Sequence, residues 1–350
     1  MKNIIFIDFS CDLTHKSVIN RPIGASEFMF YITLFNLSKI ITNRRFICFN
    51  KIENSTIDNI KYTNISEIET FPFRENDIVI IQRLLPNLDL LNKIISKNIY
   101  LTQQDYDFNC IFFQYQVGDN KNKILQYINE KTNIKFIFNS EFSKKYIIDN
   151  LNRCNMKISE NRMTIIPNYI FKEYFEKSDN VLKKEFQLVY ASGWNKGIVH
   201  IIRIFDYIIN QNNNFKLILM SPGYEYKNFE GFKNEIEEKY KNNITILGPI
   251  NKKDYCKIIQ ESSCVFAPPF PETFGCVFSE SYYLETPVIA DIRSGAVVEI
   301  IGNENITDYS DLNKTYLKLL EIINRNKHTK TSLNEKYLFN ENVWKQKLNL

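Results

Sequence analysis

The strongest constraint on this chain is a pattern that occurs twice: short apolar runs alternate with longer amphipathic stretches. In the first half the runs are Asn3–Phe9, Arg45–Asn50, Asp77–Gln82, Asn98–Thr102 and Lys135–Asn139, with a helical stretch at Ser26–Ile40. In the second half they are Phe186–Ala191, Phe215–Ser221, Asn243–Leu247, Cys264–Pro268 and Pro287–Asp291. The helical stretches there are Ile198–Asn210, Glu230–Lys241, Lys252–Glu261 and Phe274–Leu284. Near-continuous apolar strands joined by amphipathic helices bury both faces of a parallel sheet. The pattern therefore predicts an α/β chain with two Rossmann-like, doubly wound domains, for which 350 residues suffice. Between the two series lies Pro167–Asp179, polar and aromatic without a clean period, which reads as an interdomain linker. The expected division is 1–172 and 173–335, followed by a final segment at 336–350.

Composition excludes several classes. The 44 Lys and Arg exceed the 40 Asp and Glu by four, too few to imply nucleic acid. No apolar run approaches the roughly 18 residues that span a bilayer. The opening residues MKNIIFIDFSCD break their apolar stretch at Asp8, so they read as a first strand and not a signal peptide. Seven Cys are scattered without a CxxC pair, which reads as reduced thiols in a cytoplasmic protein. His15, His200 and His328 are far apart, so no histidine metal site is expected. Lys39, Arg44, Arg45 and Tyr31 are candidates for peripheral contact with a membrane surface. The oligomeric state is not encoded legibly.

The densest chemistry lies in Ala267–Gly295, where Pro268 and Pro269 end a strand and the loop Pro271-Glu272-Thr273-Phe274-Gly275 leads into a helix. The first N–H groups of a helix are unpaired and carry partial positive charge, so they suit a phosphate or a sugar oxygen. Gly275 lets a ligand come close to the backbone. Glu272 stands at the mouth of the helix and Glu280 about two turns along it. Either carboxylate alone reads as a cap or a solvated surface group. A second feature is Ser192-Gly193-Trp194-Asn195-Lys196-Gly197, which puts a cation on a strand-to-helix turn, a ready phosphate site. In the first half, Pro22-Ile23-Gly24-Ala25-Ser26-Glu27 opens a helix.

The Glu272–Glu280 spacing resembles the E-x7-E motif of retaining glycosyltransferases with the GT-B fold, especially glycosyltransferase family 4. Glu285-Thr286-Pro287-Val288-Ile289-Ala290 continues the motif, and Gly295 and Glu299 match the following loop. The Lys196-Gly197 turn, the Leu247-Gly248-Pro249-Ile250 turn and the Gly24 loop are similar to other family elements, and the resemblance covers nearly the whole chain. It implies two Rossmann-like domains facing a central cleft, with the final segment Phe339–Leu348 crossing back to the N-terminal domain. It implies a UDP- or GDP-sugar donor, a glycan, glycolipid or protein-glycan acceptor, and no required cofactor or metal. By the same resemblance Glu272 contacts the donor sugar and is the catalytic residue, and Glu280 holds the ribose. Lys196, Ser192 and the Gly24 loop face the diphosphate, Thr273, Phe274 and Gly275 the sugar, and Ile250 the base. Gln104, Asp105 and Glu27 fall on the acceptor side.

Two positions depart from the family pattern. Leu101-Thr102-Gln103-Gln104-Asp105-Tyr106 has Gln where many members have His, and Ala191-Ser192 stands where many have Arg. The departures motivate an alternative, a non-catalytic nucleotide-sugar or glycan-binding module on the same fold. Asp105-Tyr106-Asp107 is a D-x-D triplet, which reads here as a solvated or acceptor-side loop and not a metal site.

Overall fold

The computed structural model describes residues 2–21, 23–83, 87–103, 126–153, 157–179, 181–220, 229–248, 250–329 and 331–348. The chain divides into two units. One takes Met1–Val18, Ala25–Pro167 and Asn340–Leu350; the other takes Ile19–Gly24 and Asn168–Phe339. Among the described residues no helix is long and apolar enough to cross a membrane.

In the first unit the five apolar runs become strands β1 (Asn3–Ile7), β2 (Arg45–Asn50), β5 (Ile78–Gln82), β6 (Asn98–Gln103) and β7 (Ile134–Phe138), joined by three short strands the sequence pattern does not mark, β3 (Ser55–Ile57), β4 (Ile60–Asn64) and β8 (Met163–Ile165). Their order in the sheet is β3-β4-β2-β1-β5-β6-β7-β8. Every residue of β1 is buried, as an apolar central strand covered on both faces must be. Only β3 runs antiparallel to its neighbour, joined to β4 by Asp58 and Asn59 with φ of 47° and 66°. Positive φ at both positions is what a two-residue hairpin turn requires, and Asp and Asn tolerate it. The sheet core gathers Ile5, Ile7, Phe49, Val79, Ile99, Phe136 and Phe138. Tyr31, a candidate for membrane contact by composition, is instead wholly buried, and its hydroxyl donates to Asp8 Oδ2. It lies in the middle of helix Ala25–Ile40, whose long buried stretch from Phe28 to Leu34 leaves Tyr31 no route to the surface. Trp344 and Leu348 bury one side of the terminal helix Glu341–Leu348 in this same unit.

In the second unit the strands are β9 (Lys184–Tyr190), β10 (Lys216–Met220), β11 (Ile244–Leu247), β12 (Ser262–Phe266), β13 (Val288–Asp291) and β14 (Ile306–Thr307). They are parallel and ordered β11-β10-β9-β12-β13-β14. Counted within the unit this is 3-2-1-4-5-6, the order of dinucleotide-binding sheets. The β9–β12 pairing is irregular: Ser262 faces Lys184, but Cys264 faces Leu188. Ser263 fills the irregularity, its Oγ donating to the carbonyls of Lys184 and Glu185. A long helix not anticipated from the strand-helix series, Leu312–His328, is capped by the Asp311 side chain and ends in Arg325, Lys327 and His328, which favour its C-terminal dipole.

The units divide at Pro167–Asn168, inside the segment expected to link them, and the first part of that segment packs on the second unit. Ile170 bridges Leu338, its N–H donating to Tyr337 O at 2.8 Å, and Phe339 N–H returns a bond to Ile170 O at 3.0 Å. Phe171 stacks on Phe339 at 4.5 Å, and Phe175 packs on Tyr283 at 5.9 Å. The aromatic residues that broke the period are the ones that bury the segment on the second unit's body.

His15 is fully buried in the first unit. Its ring stacks on Phe35 at 4.2 Å, with Nδ1 2.8 Å from the Tyr62 hydroxyl and Nε2 3.0 Å from Asp58 Oδ2. Burial, which outweighs the nearby Asp58, holds the imidazole pKa below its ordinary 6.5. The fold therefore prefers neutral His15, and stability is lost as pH falls below that value. The slope contributed by one such group is at most about 1.4 kcal/mol per pH unit. Urea unfolding at pH values from about 7.5 to 5.5 should show stability falling with acid, and His15→Phe should flatten that fall. An unchanged slope in the variant would rule His15 out as its source.

Candidate functional site

The chain leaves β9 toward β10 and β11, then returns to β12 on the other side of β9. At such a reversal the loops beyond the carboxyl ends of the two strands diverge and leave a ligand crevice. The loop after β9 carries Ser192 and Lys196; the loop after β12 carries Glu272, Thr273 and Phe274.

The two loops touch. Gly197, with φ 101°, ends the short turn Trp194–Lys196 and opens helix Ile198–Gln211. A Cβ there would lie 3.1 Å from Pro269, so glycine permits the approach. Lys196 Nζ then reaches Glu272 Oε1 at 2.7 Å. The Lys196 side chain is 36% exposed and that of Glu272 11%. With Glu272 buried and the Lys196 end in contact with water, such a pair stabilises modestly, on the order of 1 kcal/mol. It contributes little to the fold and yields readily to a stronger anion.

Glu272 is held by its main chain. It forms a parallel bridge with Gly295, its N–H donates to Ser294 O at 3.3 Å, and its carbonyl accepts from Ala296 N–H at 2.9 Å. Ser294 Oγ donates to Pro268 O at 2.7 Å, bracing the same loop at its start. Helix Cys276–Tyr283 follows, with Gly275 at its N-cap position in the left-handed region (φ 82°) and no side chain capping it. The helix starts two residues later than the sequence predicts because Phe274 turns into the core, its ring 5.7 Å from Tyr337. Thr273 and Ser192 are buried as well. The Cys276 thiol is pushed up to about 12, chiefly by burial, so it stays protonated and is no nucleophile.

Glu280 is not the exposed carboxylate that a helix interior suggests. It is buried, and Lys252 Nζ donates to its Oε1 at 3.0 Å. The Tyr255 hydroxyl is sealed from solvent beside it, its pKa driven well up by burial first and by the Glu280 charge second. Lys252 was not singled out in the sequence. It opens helix Lys252–Glu261, where a cation opposes the helix dipole. Glu280 and the rings of Phe175 (4.1 Å) and Tyr255 (4.7 Å) offset that cost. The available signal was a lysine at a first helical position, two residues after Ile250. Ile250 itself is half-buried at the edge of the apolar cluster that holds Phe274 and Phe278.

The structure thus joins Lys196 to Glu272 and gives Glu280 a separate lysine. In the first unit, Glu27 lies in the first turn of helix Ala25–Ile40 and pairs with Arg83 Nη1 at 2.7 Å, which also donates to Ser26 Oγ at 3.1 Å. Gly24, expected in the N-terminal domain, groups with the second unit. Gln104, Asp105 and Asp107 lie outside the described residues.

Residues 171–331 match the family described as Glycosyl transferases group 1. No curated protein sequence matches the chain. Among solved structures, TarM of S. aureus is 14% identical with a TM-score of 0.56 over 77% of this chain and 53% of that one. The chain therefore spans about half the length of TarM. WaaG, a glycosyltransferase involved in lipopolysaccharide biosynthesis, is 13% identical with a TM-score of 0.68, covering 98% of this chain and 99% of that one. HepE of Anabaena, solved with UDP-glucose, is 14% identical with a TM-score of 0.62 over 94% and 90%. At such identities the likeness is one of fold, and the fold shared is GT-B.

A Cβ at position 275 would meet the Phe278 ring at 2.5 Å, on a backbone that L residues rarely adopt. Gly275→Ala should destabilise the second unit by about 1–3 kcal/mol, measured by chemical denaturation. A neutral substitution would show that the loop relaxes without cost.

Proposed function

We propose that the chain, whose residues 171–331 carry the glycosyl transferases group 1 domain, transfers a sugar from a nucleotide-diphospho-sugar to a hydroxyl acceptor with retention of configuration. The observation that carries this reading is the meeting of Lys196 and Glu272 on the two loops at the β9/β12 reversal. The diphosphate competes with Glu272 for Lys196, and the uncapped start of helix Cys276–Tyr283 offers further N–H donors. Glu272, freed from its lysine, faces the donor sugar and stabilises the positive charge that develops as the leaving group departs. Glu280 receives the ribose hydroxyls, and main-chain groups near Ile250 receive the base. HepE is solved with UDP-glucose, which supports a UDP-sugar as the first donor to test; a GDP-sugar is the second. The acceptor is a glycan, a glycolipid or a protein glycan. Lys196 and helix N–H groups do the electrostatic work on the leaving group, so the reaction proceeds without a metal.

A second reading, a binding module without turnover, is favoured by the uncharged, buried Ala191 and Ser192 at the diphosphate end. The two readings part on donor consumption. Glu272→Gln should lower UDP release from UDP-glucose by about 10²- to 10³-fold while leaving the unfolding midpoint intact. Full activity in that variant sinks the assignment, and binding of donor without any release in the parent chain selects the module. Release that stops on adding EDTA overturns the metal-free part.

A further inference from the structure

The first unit holds a cavity of about 330 Å³ that no part of the proposed transfer uses. It is lined by Tyr100, Lys135, Asn161, Arg162, Met163, Thr164, Gln346 and Lys347. Its size falls in the range of roughly 300–1,000 Å³ typical of small-molecule sites. The register explains its floor. Tyr100 of β6 pairs with Lys135 of β7, and parallel partners face the same side of the sheet. Gln346 and Lys347 reach it from the terminal helix Glu341–Leu348.

Its charge is one-sided. Arg162 is buried and spends its guanidinium on the carbonyls of Ile134 (2.7 Å), Asn129 (3.1 Å) and Ile128 (2.5 Å). Two of those carbonyls end the helical residues 126–130, so Arg162 serves a helix C-terminus, yet no carboxylate pairs with it among the described residues. Lys135 Nζ donates to neutral Asn98 Oδ1 at 3.1 Å and lies 5.4 Å from the Tyr100 ring centroid. Lys347 likewise forms no ion pair among the described residues. Three cations and, among the described residues, no acid line one concavity, which gives it a positive potential that an anion would lower. A second observation points the same way. The Tyr100 hydroxyl and Thr164 Oγ1 are buried without a hydrogen-bond partner among the described residues, a state native proteins rarely leave uncompensated.

We propose that this cavity binds a phosphate monoester, with Lys135 and Lys347 as the mobile cations and Arg162 as a fixed positive wall. A monoester carries nearly two negative charges and several acceptor oxygens, enough for both lysines and a hydroxyl at once. Carboxylates of similar size offer one charge and fewer acceptors. The chemistry is shared by free phosphates and by a lipid headgroup, and the test separates them.

The full-length chain is titrated calorimetrically with inorganic phosphate and glycerol 3-phosphate, with glycerol as the neutral control, and by sedimentation with vesicles of phosphatidylcholine with or without phosphatidic acid. Lys135→Met and Lys347→Met are run beside it, and circular dichroism confirms that each folds. Binding of a soluble phosphate that weakens about tenfold or more in either variant supports the site and a free ligand. Sedimentation with phosphatidic acid alone, lost in the same variants, supports the site and a lipid source. Absence of binding in both arms, or binding indifferent to both substitutions, overturns the proposal. UDP binding by the second unit is a separate measurement, so neither result bears on the other.

Discussion

The candidate site depends on one constraint, the parallel pairing of β9 with β12. These strands are distant in sequence, and each ends in a loop that has chemistry to offer only beside the other. Lys196 and Glu272 are 76 residues apart, and no local preference brings them together. Hydrophobic burial does: Leu188, Val189 and Tyr190 on β9 and Cys264, Val265 and Phe266 on β12 are all at most 1% exposed. Once those strands lie side by side, the geometry of their exits follows, and Gly197 against Pro269 sets how closely the loops approach. The functional pair is weak, and the sheet beneath it is strong. That division lets a ligand rearrange the pair without disturbing the fold.

Legibility followed the range of the interaction. Patterns of apolar residues are local, and they placed ten of the fourteen strands among the described residues to within a few residues, missing β3, β4, β8 and β14. Helix Lys252–Glu261 was bounded correctly because Asn251 caps it and Glu261 ends its periodic face. Glu272 and Glu280 stood out through their resemblance to the family's E-x7-E motif in the loop after Pro268 and Pro269. Their partners did not, because a lysine's target is decided by tertiary packing; the sequence showed Lys252 merely as one more cation in a lysine-rich chain. The strands β3 and β4 escaped notice because β3 has three residues and one apolar side chain, Lys61 interrupts β4, and the Asp58-Asn59 turn lacks the usual Gly. Pro167–Asp179 was legible as a boundary, since the units divide at Pro167–Asn168; the strap its aromatic residues build was not, because one short 3-10 turn and a single bridge carry no period.

That strap changes how the second unit is closed. Ile170 donates to Tyr337 O and accepts from Phe339 N–H, so the two ends of the stretch Asn168–Phe339 clasp each other. Phe171 against Phe339 and Phe274 against Tyr337 extend the clasp toward the loop that carries Glu272. The loop is therefore braced twice, by Ser294 and its neighbours from one side and by the C-terminal return from the other. Three backbone devices, a left-handed Gly275, the Gly295 bridge and the Phe274 anchor, leave the Glu272 backbone few alternatives. A site built this way spends little entropy on ordering itself when a ligand arrives.

The irregularity in the β9–β12 ladder carries a further consequence. Between the pairs Ser262–Lys184 and Cys264–Leu188, β9 advances four residues while β12 advances two. The difference is two, an even number, so both strands keep the same residues facing the core beyond it. A difference of one would move Leu188 and Tyr190 to the opposite face, into the cluster where Val189 and Ala191 now pack, and carry Lys196 away from Glu272 by about one strand residue, roughly 3.3 Å. A pair of residues added here keeps each side chain on its face, whereas a single one disturbs both cores and the site together.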